Sequence, residues 1–154
     1  MKILVLSDSH GNLTNMLQTV EITHPDMIFH LGDGWRDAFS LQEHFPSIPF
    51  ELVAGNCDLG CDIAREKLLS IQNHRLLLCH GHTLGVKSGL LRARYAAQEH
   101  HADILLFGHT HEPFIDYLEN TWLFNPGSIG NNSHPSYGVL LFENGQVSPA
   151  LYTL

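Results

Sequence analysis

Two histidines separated by a single residue, His109 and His111, follow an apolar run and a glycine at residues 105–108. In an extended chain, residues two apart project to the same side, so both imidazoles could point into one space beyond the run. An isolated pair of this kind is more often two exposed loop histidines than a metal site. The pair becomes a candidate metal site because the same pattern, an apolar run followed by Asp, His or Asn, occurs four more times.

The other four apolar runs also end at side chains that bind metals in proteins. In chain order, those side chains are Asp8 and His10, Asp33, Asn56 and Asp58, and His80 and His82. The carboxyl ends of strands in open α/β sheets meet at one crevice, which favours a single polynuclear metal site. The candidate ligands are carboxylates, an amide and imidazoles, with no cysteine thiolate among them. This combination suits Mn²⁺, Fe²⁺, Ni²⁺ or Zn²⁺.

Taken one at a time, these residues have simpler interpretations. Asp33 and Asn56 each follow a glycine, where such residues usually belong to turns or caps. His30 lies inside an apolar run and is predicted to be a core histidine with its hydrogen bonds satisfied. The remaining histidines are interpreted as surface or loop residues: His24, His44, His74, His100, His101 and His134. The ordered set, and not any single member, indicates the metal site.

The apolar pattern also predicts the elements that would position these side chains. Apolar runs at 3–6, 27–31 and 50–54 predict strands, and helices are expected over 13–23 and 35–44. Asn12 is the expected N-cap of the first helix. The order strand–helix–strand–helix–strand is typical of a parallel sheet with right-handed crossovers.

The second half of the chain predicts more β-structure. Residues 67–71 and 75–79 predict a hairpin, and a helix over 88–100 is expected to turn Leu91, Tyr95 and Ala96 inward. The sequence Asn-Pro-Gly-Ser at 125–128 predicts a turn, and further strands are expected at 114–118, 121–124, 137–142 and 146–154. These elements predict an α/β fold of two packed sheets with helices outside, in one domain spanning 1–154.

Composition excludes several classes of protein. The chain has 154 residues, 44% of them hydrophobic, and a formal net charge of −8, so it lacks the basic surface with which proteins grip long nucleic acid. Bound divalent cations would offset part of this acidity. Only four apolar residues follow Met1 and Lys2, a run too short for a signal-peptide core or a membrane span. Three cysteines, an odd number, then predict free thiols in a reducing cytoplasm, and Cys57 and Cys61 lack a second pair for a structural zinc site.

The ordered motifs Asp8-x-His10, Gly32-Asp33, Gly55-Asn56, His80-Gly81 and Gly108-His109-x-His111 resemble those of the calcineurin-like metallophosphoesterases. The short length and the Asn-Pro-Gly-Ser sequence are most similar to the small bacterial and archaeal phosphodiesterases of that superfamily. The resemblance covers essentially the whole chain. It implies a four-layer α/β/β/α sandwich and hydrolysis of a small phosphodiester at two divalent metal ions, with Mn²⁺ as the first choice.

The resemblance also implies which residues bind each ion. Asp8, His10, Asp33 and His111 would hold one ion, and Asp33, Asn56, His80 and His109 would hold the other. Two cations roughly 3.5–4 Å apart can share a water, convert it to a bridging hydroxide and stabilise an in-line displacement. Two further residues are expected at the site. Asp58 would orient His10 or a metal-bound water, unless it only caps its loop, and His82 would contact the substrate phosphate.

One residue departs from the pattern of many superfamily members. Those proteins carry a histidine, resembling a general acid, where this chain has Cys57. The short subgroup shows the same change, so the departure concerns the acid step and not the metal site. Two alternatives remain open: a non-catalytic scaffold similar to the retromer subunit of this fold, and a nuclease. The complete ligand set favours an enzyme over the scaffold, and the short acidic chain disfavours the nuclease. The oligomeric state is left open, with a homo-oligomer among the possibilities.

Overall fold

The computed structural model describes residues 1–131 and 133–154. The strands are β1 (Lys2–Leu6), β2 (Met27–His30), β3 (Phe50–Leu52), β4 (Glu66–Ile71), β5 (His74–Cys79), β6 (Ile104–Leu106), β7 (Pro113–Leu118), β8 (Thr121–Pro126), β9 (Ser136–Glu143) and β10 (Gln146–Thr153). The helices are α1 (Leu13–Thr23), α2 (Trp35–His44) and α3 (Leu91–Glu99), and two short 3₁₀ turns cover His82–Leu84 and Val86–Ser88.

Two mixed five-stranded sheets form the centre of the protein, with strand orders β10-β9-β1-β2-β3 and β4-β5-β6-β8-β7. The first sheet contains the predicted parallel strands β1, β2 and β3. In the second sheet β5, β6 and β8 run parallel, and β4 and β5 form the predicted hairpin. In each sheet, neighbouring parallel strands therefore end at the same edge, where the candidate ligands follow them.

Alternation along β1 explains why the sheets form inner layers. Its buried residues project to opposite faces in turn. Ile3 and Val5 pack between the two sheets, together with residues such as Leu78 and Leu106 of the second sheet. Leu4 and Leu6 belong instead to the cluster that α1 and α2 cover. A strand buried on both faces needs a continuous apolar sequence, which is what residues 3–6 provide.

The helices complete the four-layer α/β/β/α sandwich. Met16 and Val20 of α1 and Leu41 of α2 pack on the outer face of the first sheet. Ala93 and Ala97 of α3 pack on the outer face of the second. Asn12 caps α1 as predicted, because its side chain accepts a hydrogen bond from the N–H of Asn15 at 3.1 Å. The predicted fold class is confirmed.

The prediction for α3 was wrong in its bounds and partly wrong in its buried face. The helix begins at Leu91, three residues later than expected. Leu91 and Tyr95 are 60% and 62% exposed, whereas Ala93 and Ala97 are buried and Ala96 is partly buried. Two small residues four apart let the helix lie close to the sheet, and the larger side chains are then left outside. Within the described ranges, no helix combines the length and apolarity that crossing a membrane requires.

Candidate metal centre

The candidate ligands lie in sharp turns at the ends of β1, β2, β5 and β6. Five of them have a positive φ, between 45° and 69°, namely Asp8, His10, Asp33, His109 and His111. Residues other than glycine rarely adopt this conformation, and it persists only where the surroundings enforce it. Backbone hydrogen bonds supply that enforcement: the N–H of Asp8 donates to Gly32 at 3.0 Å, and the N–H of His10 donates to Asp33 at 3.2 Å.

Asp8 is a fully buried carboxylate that the described protein satisfies on one side only. Its Oδ2 accepts hydrogen bonds from the Ser7 hydroxyl at 2.5 Å and from the backbone N–H of His109 at 3.0 Å. Its Oδ1 has no hydrogen-bond partner among the described residues and lies 3.1 Å from Nε2 of His111. The Nε2 atoms of His111 and His10 approach each other to 3.3 Å. One carboxylate oxygen and two imidazole nitrogens thus converge on one point.

His80 is fully buried and presents a free lone pair. Its Nδ1 lies 2.7 Å from the carbonyl oxygen of Leu31, so Nδ1 carries the proton and donates it. Nε2 lies 3.4 Å from Oδ2 of Asp33 but forms no hydrogen bond of normal geometry. Burial alone would lower the pKa of His80, but the carboxylates of Asp33 and Asp8 outweigh it and raise the pKa. These carboxylates therefore favour a positive charge at Nε2, whether from a proton or from a metal ion.

The Asp33 carboxylate is held in its ionised form. Its Oδ1 accepts a hydrogen bond from the N–H of Cys57 at 2.7 Å, and Oδ2 faces His80. Burial alone would raise the pKa of Asp33, but His80 and the Cys57 N–H outweigh it and lower the pKa well below its usual value. An acidic ligand that is already deprotonated costs nothing to deprotonate when a metal binds.

Six of the seven predicted ligands form two clusters. In each cluster, donor atoms of all three residues lie within 4.8 Å of one another: Asp8, His10 and His111 in the first, and Asp33, His80 and His109 in the second. The resemblance implied two groups that contain these same sets, with Asp33 also in the first group and Asn56 also in the second. A third cluster, which the sequence did not predict, joins Cys57 to His10 and Asp33. The seventh predicted ligand, Asn56, is exposed, and its amide nitrogen donates to the Cys57 sulfur at 3.3 Å.

Asp58 accepts hydrogen bonds from backbone amides with both of its oxygens, which is the capping alternative; its predicted role toward His10 or a metal-bound water stays a prediction. Oδ2 accepts from the N–H groups of Asp33 and Gly55, each at 2.7 Å. Oδ1 accepts from the N–H groups of Gly34 and Trp35 at 2.8 and 3.0 Å. Asp58 therefore caps two loops at once and fixes the turn that carries Asp33. Burial alone would raise the pKa of Asp58, but these four N–H groups outweigh it and lower the pKa.

His82 lies beside the second cluster, half-exposed in the first 3₁₀ turn. Its ring centre is 5.4 Å from that of His80 and 6.1 Å from that of His109. Burial lowers the pKa of His82, and the nearby charges of His80 and Arg65 lower it further. The imidazole is therefore neutral at pH 7. Its Nδ1 is buried without a hydrogen-bond partner among the described residues.

His30 is a satisfied core histidine, as predicted. Its Nδ1 accepts a hydrogen bond from the N–H of Gly32 at 3.2 Å, and its Nε2 lies 3.2 Å from the Ser9 hydroxyl. Ser9 in turn donates to Asp37 at 2.6 Å, and Asp37 also accepts from the N–H of Gly11. Burial lowers the pKa of His30 to about 4, so the ring is neutral at pH 7 and supports the turn around Asp8.

Sequence analysis missed the supporting roles of Asn125 and Ser128. The predicted turn at 125–128 is shorter, because β8 continues through Pro126. Buried Asn125 donates to the carbonyl of Gly108 and to the hydroxyl of Thr110, each at 3.0 Å, and so holds the loop of the second histidine pair. Ser128 donates to the backbone carbonyl of Asp8 at 2.8 Å. Asn125 directly follows an apolar run, as the predicted ligands do, but the Asn-Pro-Gly-Ser motif led to the prediction of a turn.

An open cleft of about 260 Å³ adjoins the clusters, lined by His10, Gly11, Asp33, Gly34, Trp35, Arg36, Asp37, Cys57 and Asp58. Three basic side chains lie near the centre, although the carboxylates of Asp33, Asp37 and Asp58 also line the cleft. Arg36 lines the cleft, Arg65 is close enough to lower the pKa of His82, and Lys87 is close enough to lower the pKa of His109. Positive side chains around a recess attract anions, and phosphate esters are anions.

The sequence matches known proteins along nearly its whole length. A profile of the calcineurin-like phosphoesterase superfamily domain matches residues 1–145. The chain is 36% identical over 159 residues to the probable metallophosphoesterase YsnB of Bacillus subtilis, covering 99% of this chain and 90% of that protein. It is 27% identical over 167 residues to the phosphodiesterase YfcE of Escherichia coli, covering 91% and 87%.

Solved structures share the fold. A predicted phosphoesterase from Streptococcus pneumoniae is similar with a TM-score of 0.83 and 26% identity, over 99% of this chain and 88% of that one. A single mutant of Vps29 from Entamoeba histolytica is similar with a TM-score of 0.78 and 18% identity, over 100% and 99%. The second likeness shows the fold alone.

The four amide hydrogen bonds of Asp58 predict that replacing this residue lowers the free energy of unfolding. In Asp58→Asn, one side of the side chain becomes a donor that faces backbone donors. We expect the free energy of unfolding at pH 7 to fall by about 3 kcal/mol. Because the pKa of Asp58 is lowered on folding, its stabilisation is present above the unfolded value near 3.8 and is lost as pH falls through the folded value. Urea titrations should therefore show that the difference in free energy of unfolding between the variant and the unmodified protein becomes smaller below about pH 4.

The matched control is Asp116→Asn, the same change at an exposed site on β7. It should alter the free energy of unfolding by less than about 0.5 kcal/mol. An Asp58→Asn protein as stable as this control would contradict the assigned role.

Proposed function

This chain belongs to the calcineurin-like phosphoesterase superfamily, and we propose that it is a metal-dependent phosphodiesterase with a dinuclear divalent centre. The observation that carries the proposal is the pair of clusters, each a carboxylate with two imidazoles, at the ends of β1, β2, β5 and β6. The name of the Escherichia coli relative supports a diester over a monoester as the substrate.

Two buried atoms support metal binding independently of the comparisons. Oδ1 of Asp8 and Nε2 of His80 are both buried and without hydrogen-bond partners among the described residues. Buried polar atoms are nearly always satisfied, and these two face the cluster interiors. A cation in each cluster would satisfy both atoms. The residues proposed to hold the ions are Asp8, His10, Asp33 and His111 for one, and Asp33, Asn56, His80 and His109 for the other.

The mixture of donors bears on the choice of metal. Borderline and harder divalent ions accept imidazole and carboxylate together, and we propose Mn²⁺, with Fe²⁺, Ni²⁺ and Zn²⁺ as competitors. When bound, such ions acidify a water and neutralise charge on a phosphate during displacement. The protein itself contributes fixed ligand orientations: the Leu31 carbonyl holds the ring of His80, and the Cys57 N–H holds the carboxylate of Asp33.

Substrate binding is proposed to use the remaining polar groups. The neutral ring of His82 carries one N–H, which can donate a hydrogen bond to a phosphate oxygen. Arg65 and Lys87 add positive charge around it. The formal net charge of −8 opposes binding along a nucleic-acid polymer, so we propose a small diester.

A non-catalytic scaffold is the second candidate, because Vps29 shares the fold over the whole chain. Fold similarity at 18% identity does not carry function, since one fold hosts many activities. The 36% identity to a probable metallophosphoesterase over nearly the whole chain favours the enzyme.

The proposed ligand assignment predicts unequal roles for Asp33 and His82. Asp33→Asn removes a charge shared by both ions, so we expect metal content to fall below two ions per chain and activity on bis(p-nitrophenyl) phosphate to fall at least about 100-fold. His82→Ala should retain both ions and lower kcat about 10-fold or more. Elemental analysis and steady-state kinetics measure both effects, with Asp116→Asn as the matched control. Loss of metal from His82→Ala but not from Asp33→Asn would refute the assignment.

Cys57 predicts a preference for good leaving groups. Without bound cations, its side-chain contact with Asp33, burial and nearby carboxylates raise the pKa of the thiol to about 11. A thiol is a weak hydrogen-bond donor, and a thiolate formed beside bound cations would have no proton to give, so Cys57 is a poor acid in either state. Expulsion of an alkoxide needs a proton, and a positioned acid contributes about 10²–10⁴-fold. Nitrophenyl diesters should therefore turn over well and alkyl esters slowly. Cys57→His should accelerate alkyl esters far more than nitrophenyl esters, and Cys57→Ala should change neither greatly. Equal rates on both substrates in the unmodified protein would contradict this prediction.

A further inference from the structure

Trp35 and Arg36 form one wall of the cleft beside the candidate metal centre. The same cleft is lined by His10, Asp33 and Cys57, which contribute to the clusters. A group bound against this wall would therefore lie next to a phosphate at the metal ions. Apart from the positive charge of Arg36, this wall has no part in the proposed binding of metal and phosphate.

The main chain at Trp35 is fixed relative to the metal centre. Its N–H donates to Oδ1 of Asp58 at 3.0 Å, and the N–H of Gly34 donates to the same oxygen. The other oxygen of Asp58 accepts from the N–H of Asp33 at 2.7 Å. One buried carboxylate thus holds three consecutive amides, and it fixes the main chain of Trp35 two residues from the proposed bridging ligand. A main chain held in this way needs little reordering before a ligand binds beside it.

The wall combines aromatic rings with a guanidinium group. The guanidinium carbon of Arg36 lies 4.8 Å from the centre of the Trp35 ring. The ring of Phe39 meets the indole edge-on, with centres 5.8 Å apart and an interplanar angle of 87°. Trp35 is half-buried, and Arg36 and Phe39 are exposed. Planar surfaces of this kind bind planar aromatic groups by stacking, and the guanidinium also attracts an adjacent anion.

We infer that Trp35 and Arg36 bind a planar aromatic substituent of the phosphodiester substrate, with a nucleobase as its biological form. This inference rests on the proposed phosphodiesterase function and specifies its substrate class. Ligand clefts usually measure roughly 300–1,000 Å³, so a cleft of about 260 Å³ has room for about one planar substituent. The substrate is therefore a small diester that carries a nucleoside.

Two substrates with the same leaving group isolate this contact. Thymidine 5′-(p-nitrophenyl) phosphate and methyl p-nitrophenyl phosphate both release nitrophenolate, and they differ only in the group that remains on phosphorus. Stacking of a base on an aromatic side chain contributes roughly 5- to 150-fold in affinity. We expect Trp35→Ala in the Mn²⁺-loaded protein to lower the ratio of kcat/KM for the thymidine diester to that for the methyl diester about 10-fold.

Control variants separate stacking from general loss of surface. Trp35→Phe keeps an aromatic ring and should keep most of the ratio. Tyr95→Ala removes an aromatic ring that is 62% exposed on α3, and should leave both rates unchanged. An unchanged ratio in Trp35→Ala would overturn the inference while leaving the proposed function intact. If the unmodified protein hydrolyses neither diester, the proposed function fails and this inference fails with it.

Fluorescence gives a second readout that does not depend on turnover or on a folded Trp35→Ala protein. The chain has two tryptophans, so in Trp122→Phe the indole emission comes from Trp35 alone. Thymidine 5′-monophosphate should quench this emission with saturation, whereas methyl phosphate, which offers the same anion without a base, should not. Equal quenching by both compounds, or none by the thymidine compound, would overturn the inference.

Discussion

Two buried carboxylates that the protein satisfies only in part are the constraint on which the rest of the structure depends. Asp8 and Asp33 each engage backbone N–H groups with one oxygen and turn the other toward imidazole nitrogens. Buried charge is costly unless it is paired, so this arrangement is stable only if protons on the histidines or bound cations balance it. The fixed proton on Nδ1 of His80 leaves its Nε2 available for that purpose.

The loops around the site exist to hold those carboxylates in place. Asp58 collects four backbone amides, and Asn125 holds the loop of the second histidine pair. Two glycines are required here by close approach and not by their φ: a Cβ on Gly55 would overlap the Asp33 carboxylate, and one on Gly108 would overlap the Ser7 hydroxyl. Because these contacts interlock, a substitution well outside the ligand set can displace a ligand.

The sequence predicted the parts of this design that depend on apolar pattern. A strand buried on both faces, such as residues 3–6, must be apolar throughout, and polar residues directly after it must lie at a sheet edge. Parts that depend on backbone conformation or on close packing were not predictable. The choice between capping and catalysis for Asp58 depends on where four amides point. The inward face of α3 is made by Ala93 and Ala97, which carry less pattern signal than Leu91 and Tyr95. The burial of Asn125 depends on β8 continuing through a proline.

The central claim, that two divalent cations share Asp33, is tested most directly by anomalous scattering from crystals of the Mn²⁺-loaded protein. Data collected on either side of the manganese absorption edge locate the ions without reference to any proposed chemistry. If two cations share Asp33, two anomalous peaks are expected, one among Asp8, His10 and His111 and one among His80 and His109, with the Asp33 carboxylate between them. A single peak, no peak, or peaks that do not contact Asp33 would contradict this claim.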